Sequence, residues 1–214
     1  MNKVEFSADC QQCPRLAKFL QQVNKDHPDY YCKPVLPFGA ARPKLLIVGL
    51  APGLHGANAT GRPFTGDYAG ILLYETLFKF GFSNKPISVS LDDKLKLKQC
   101  RITNAVKCLP PENKPTTDEI ITCNQFLEEE LAALPKNTII LALGGIAHKA
   151  VIKALKLKNK DYPFGHDTWY DLPNGAQLAT SYHCSKYNTS TKRLTENMFH
   201  DVFRKIRKSI DTKI

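Results

Sequence analysis

The stretch Lys44-Leu45-Leu46-Ile47-Val48-Gly49-Leu50 is a short apolar run that does not alternate with polar residues. It leads into Ala51-Pro52-Gly53-Leu54-His55-Gly56-Ala57-Asn58-Ala59-Thr60-Gly61-Arg62-Pro63-Phe64-Thr65-Gly66-Asp67, a long glycine-rich loop, and then into the helical pattern of Gly70–Phe80. A strand apolar on both faces must be covered on both faces, which is the situation inside a parallel sheet. Arg101–Val106, Thr138–Leu143 and Ala176–Ser181 repeat the type, and helical patterns occupy Thr117–Leu134 and Gly145–Leu155. Pro115-Thr116-Thr117-Asp118-Glu119 supplies a polar start for the first of these, and Pro135 follows its end. Cys10 to about Val23 and Thr191–Ile210 read as outer helices. Alternating strands and helices predict an α/β fold: a three-layer sandwich with a central, mostly parallel four-stranded sheet flanked by helices.

The 214 residues are 43% hydrophobic and 23% charged, an ordinary globular balance that excludes a disordered chain and predicts one domain spanning 1–214. The longest apolar runs, Leu45–Pro52 and Ile139–Ala147, fall short of the roughly 18 residues needed to cross a bilayer. The start, Met1 to Phe6, has no leader-like apolar stretch, so a cytoplasmic protein without membrane attachment is expected. A net charge of +10 suits a polyanionic partner. The cations Arg204, Lys205, Arg207 and Lys208 fit the end of an amphipathic last helix better than a nucleic-acid surface.

In open parallel sheets ligands sit beyond the carboxyl ends of the strands, so the loops after Leu50, Val106, Leu143 and Ser181 are where chemistry is expected. The spacing of Gly49, Gly53 and Gly56 does not make a dinucleotide-binding turn. Gly61 to Gly66 has the gap of a phosphate loop, but Asp67 stands where that motif needs a lysine, which excludes an NTPase. Asp67 is then either a carboxylate in a functional loop or the N-cap of the following helix. Asn104 and His183 end the second and fourth strands, and an Asn amide offers the donor and acceptor that suit a base edge. Of seven cysteines, Cys10-x2-Cys13 and Cys108-x14-Cys123 make a four-thiolate set open to zinc or an iron–sulfur cluster. Cys32, Cys100 and Cys184 read as buried or incidental thiols.

Taken together, the Gly-Leu-Ala-Pro-Gly start at Gly49, the run Thr60–Asp67, Thr103–Cys108, Asn113-Lys114-Pro115, and His183 followed by Asn188–Thr195 resemble the uracil-DNA glycosylase superfamily, most closely its fifth, type b family. The resemblance runs from Cys10 to about Thr195. It implies a [4Fe–4S] cluster on Cys10, Cys13, Cys108 and Cys123 and a monofunctional, monomeric hydrolase that removes uracil, and hypoxanthine or other deaminated bases, from DNA. By the same resemblance Gly53 and Phe64 line the base site, with Phe64 stacking on an extruded base. Asn104 reads the base edge, His183 faces its O2, and Asp67 is the carboxylate near the sugar. Lys186, Lys192 and Arg193 are candidates for DNA phosphates. The chain departs from the family pattern at Ala59, Cys184 and Lys192, where arginine, proline and glycine are usual, and Leu50 replaces the water-activating acid of related families. A catalytically silent DNA- or RNA-binding module of the same fold is the alternative.

Overall fold

The computed structural model describes residues 6–212. Most of the Met1–Phe6 start lies outside them. The chain order begins α1 (Pro14–Asp26), β1 (Phe38–Gly39), β2 (Leu45–Gly49), α2 (Ala57–Thr60), α3 (Tyr68–Lys79) and β3 (Cys100–Asn104). It continues with α4 (Thr117–Ala132), β4 (Ile139–Leu143), α5 (Gly145–Ala154), β5 (Trp169–Asp171), β6 (Gln177–Ser181), α6 (Lys186–Ser190) and α7 (Glu196–Thr212).

The sheet has six strands in the order β1-β3-β2-β4-β6-β5. The four inner strands are the four expected ones and pair in parallel, with Gly49 opposite Asn104 and Leu143 opposite Ser181. The expected four-stranded sheet is corrected by β1 and β5, which pair antiparallel at the two edges. With two and three residues respectively, they are too short to carry any period.

Every side chain of β2 and β4 is buried, and alternate residues face opposite layers. Leu45, Ile47, Ile139 and Leu141 pack with Leu73 and Leu77 of α3 and with Phe199, Val202, Phe203 and Ile206 of α7. Leu46, Val48, Ile140 and Ala142 pack with Leu127 and Leu131 of α4 and Val151 of α5. The result is three layers. No helix among the described residues is long and apolar enough to cross a membrane.

A third apolar cluster joins Leu16, Leu20 and Val23 of α1 to Val106, Leu109, Cys123 and Phe126. Here Thr116 and Glu119 form a reciprocal capping box at the start of α4, while Arg15 reaches the same Glu119 carboxylate through two nitrogens, each at 2.7 Å. The last helix continues past Ile210 to Thr212, so its cations lie before its final turn. Three of them are engaged: Arg204 with Asp201, Lys205 with Asp167 and Arg207 with Asp211.

Candidate active site

The loop after β2 folds back over the end of its own strand. Gly49 makes this possible, because a Cβ there would stand 2.5 Å from Asn104 Oδ1 and 2.7 Å from the Phe64 ring. The missing side chain is therefore filled by an amide from β3 and by an aromatic face from the loop. Phe64 is buried and sits at φ +58°, a conformation that costs an aromatic residue on the order of 1–3 kcal/mol. Two residues earlier, Arg62 anchors the same loop. That guanidinium is buried, bonds the Asp93 carboxylate at 2.8 Å and the Leu91 carbonyl at 2.8 Å, and lies 4.4 Å from the centre of the Phe38 ring.

Asp67 occupies the N-cap position of α3, but its side chain makes no capping bond. The carboxylate turns instead into the curl of residues 53–57, where a Cβ on Gly56 would stand 1.9 Å from its Cγ. Burial raises its pKa, while the backbone N–H groups of Ala57 and Gly53 and the imidazole of His55 act in the opposite direction.

His183 leaves β6 with its ring stacked near Phe64, centres 5.9 Å apart and planes at 24°. Desolvation pushes its pKa down to about 4, so the imidazole is neutral at ordinary pH. Two contacts set its loop. Asn188 Nδ2 donates to the His183 carbonyl at 2.8 Å, and the buried Cys184 thiol lies 3.4 Å from the Ala69 carbonyl, tying the loop to α3.

Phe64, Asp67, Asn104, His183, Gly53 and Lys186 line one cavity of about 550 Å³ at the carboxyl ends of the inner strands. Arg193 lines an adjoining cavity of about 240 Å³ that also reaches His183, and its guanidinium lies 4.7 Å from the centre of the Tyr182 ring. Lys192 is exposed and lines neither cavity. Its φ of +58° explains why glycine suits that position. The residues that the sequence reading missed are Arg62 and Asn188, which fix the loops, and His55, which lines the cavity. His55 stood inside the quoted loop, but nothing in a sequence shows which way a loop histidine turns.

Cys10, Cys13, Cys108 and Cys123 line one narrow cavity between α1, the loop after β3 and the start of α4, walled by Leu16, Val106 and Phe126. Desolvation raises Cys13 to about 11 and Cys108 further, and the neighbouring thiols add to both shifts. Four sulfurs gathered in an apolar setting that disfavours thiolates at Cys13, Cys108 and Cys123 fit a cationic centre that would bind them as thiolates. No three His, Cys, Asp or Glu side chains among the described residues converge closely enough to hold a single ion. Cys100 and Cys184 are buried, the first of the two alternatives expected of the leftover thiols, and Cys32 is partly buried.

Fold and site define an α/β protein whose cleft, beyond the ends of parallel strands, gathers a ring, an amide, a neutral imidazole and a carboxylate. The chain belongs to the uracil DNA glycosylase superfamily, whose family model matches residues 36–207. It is 43% identical over 205 residues to a type-5 uracil-DNA glycosylase of Thermus thermophilus, covering 93% of each chain. It is 39% identical to a type-5 uracil-DNA glycosylase of Pyrobaculum aerophilum, covering 92% of this chain and 87% of that one. A type-4 uracil-DNA glycosylase of Saccharolobus solfataricus is 26% identical, with 100% and 89% covered.

Proposed function

We propose that this protein hydrolyses the N-glycosidic bond of uracil in DNA. The observation that carries the reading is the convergence of Phe64, Asn104, His183 and Asp67 on one cavity. A base inside a duplex is out of reach, so the nucleotide must be turned out at a cost of a few kcal/mol. Stacking on Phe64, worth roughly 1–3 kcal/mol, offsets part of that cost. Asn104 then selects the edge, because a mismatched donor or acceptor would leave its amide unpaired in a dry site.

Bond cleavage leaves negative charge on the base and positive charge on the sugar. A neutral His183 answers the first by donating its N–H toward the base O2, as an oxyanion-hole donor would. Asp67 answers the second, as an ionised carboxylate beside the sugar or a guide for the attacking water. Lys186 at the cavity wall, with Arg193 and Lys192 beyond it, would hold the flanking phosphates. Hypoxanthine and other deaminated bases fall under the same proposal, since stacking and a single edge contact do not demand a pyrimidine.

Cys10, Cys13, Cys108 and Cys123 would hold a [4Fe–4S] cluster, which when bound supplies a cross-link between α1, α4 and the loop after β3.

The test is incubation with uracil-containing single- and double-stranded DNA followed by alkali. Strand breakage at the uracil position is expected. Intact strands with both substrates would leave only a silent binding module.

A further inference from the structure

The cavity of about 240 Å³ beside the base cavity has no ligand in the mechanism above. Leu50 and His183 wall both cavities, so a strand whose uracil sits in the first passes the mouth of the second. Gly144 and Gly145, between β4 and α5, belong to its wall, and a Cβ on Gly145 would stand 3.7 Å from the Phe164 ring. Phe164 thus lies against the start of α5, with Tyr182 beyond it at 6.2 Å between ring centres and 54° between planes. Tyr182 is itself part of a stack. The His166 ring lies on it with centres 5.0 Å apart and planes at 24°, and the Arg193 guanidinium stands 4.7 Å from its centre. His166 is fixed in turn, because its Nδ1 accepts the Tyr182 N–H at 3.3 Å. Arg204 and Arg207 are paired with carboxylates, whereas Arg193 pairs with none among the described residues and is exposed. At the rim Ile146 leaves 45% of its surface in water.

We infer that this cavity is a second nucleobase subsite: it takes the base next to the uracil in the same strand, against Phe164 and the Arg193 guanidinium carried on Tyr182. The inference rests on the proposed removal of uracil from DNA. The chemistry of the wall selects the ligand. Rings, a ring-borne guanidinium and aliphatic side chains, with no carboxylate among them, suit a flat, polarisable and uncharged group. The stack on Tyr182 holds the guanidinium plane in place before the strand arrives, which lowers the ordering cost of binding. The charge of Arg193 still serves a flanking phosphate, while its plane serves the base. Every base has a face to stack, so the subsite demands no particular neighbour. A neighbour enters only by leaving its own pair and stack, so the subsite makes a single strand, or a duplex already opened beside the uracil, the preferred substrate.

The experiment uses single strands with one uracil, in which the nucleotide on one side or the other either carries its base or is a tetrahydrofuran abasic analogue. kcat/KM for uracil release is measured for the wild type, Phe164→Leu and Arg193→Lys. The first variant keeps apolar bulk and loses the ring; the second keeps the charge and loses the plane. In the wild type, loss of the neighbouring base on one side should lower kcat/KM roughly five- to thirtyfold, the scale of one base–aromatic stack, with little effect on the other side. In both variants that drop should shrink to about twofold or less, and the preference for single over double strands should shrink with it. Equal rates with and without the neighbouring bases in the wild type overturn the inference, as does a drop that either variant keeps in full. A wild type that releases no uracil from any strand fails the functional reading instead. The affinities of the same strands, read by fluorescence anisotropy, then decide the subsite by the same comparison.

Discussion

Phe64 and His183 show how the site is held by single residues. A left-handed aromatic and a desolvated imidazole are both costly, and other residues anchor the loop of each: Arg62 for the ring, Asn188 and Cys184 for the histidine. Gly49→Ala should push Asn104 and Phe64 apart and lower kcat/KM for uracil release roughly a hundredfold, the scale of a one-ångström misplacement. Steady-state assays with urea unfolding alongside check that activity falls further than stability. His183→Ala should cost about 3–4 kcal/mol of barrier with DNA affinity retained, measured as single-turnover rate and binding. The same residue has a stability signature. Its folded pKa lies below its unfolded value, so between about pH 6.5 and pH 4 the unfolded chain takes a proton that the folded chain refuses. Stability should therefore decline as pH falls through that window, and His183→Gln should flatten the decline in urea melts.

Among the elements, those legible in the sequence are the ones that physics repeats over many residues. The inner strands are continuous apolar runs, and α4 announces itself by its capping sequence. β1, β5, α2 and α6 are too short for either signal and exist because neighbouring backbone is available to pair or turn. The dual possibility at Asp67 illustrates the limit: the residue caps α3 by position, while its carboxylate is used elsewhere, and only the fold of residues 53–57 decides that. Glu119 joins cap and ion pair across α1 and α4, between cysteines 13 and 123. Glu119→Ala should lower unfolding free energy by about 1–3 kcal/mol, read from denaturant melts.

For the whole molecule, the strand-end rule located the loops of Asn104 and His183, because the parallel sheet delivers all its strand ends to one edge, whereas the roles given to them came from the family resemblance. The residues that fix the loops were not legible, since Arg62 and Asn188 act through contacts that close only in three dimensions. On the proposed reading, Lys186, Lys192 and Arg193 are the cations that meet DNA phosphates, while Arg204, Lys205 and Arg207 of α7 are paired with carboxylates. Three phosphate contacts predict a log–log slope of affinity on salt of about −3, and Lys186→Ala should lessen it by about one, measured by titration in increasing salt. The central claim is that one cavity receives a uracil turned out of its helix. Its most direct test is a crystal structure of Asp67→Asn bound to uracil-containing DNA. The account predicts the base against Phe64, with its edge on Asn104 and its O2 toward His183; a uracil still stacked in the duplex, or lodged away from those three, would contradict it.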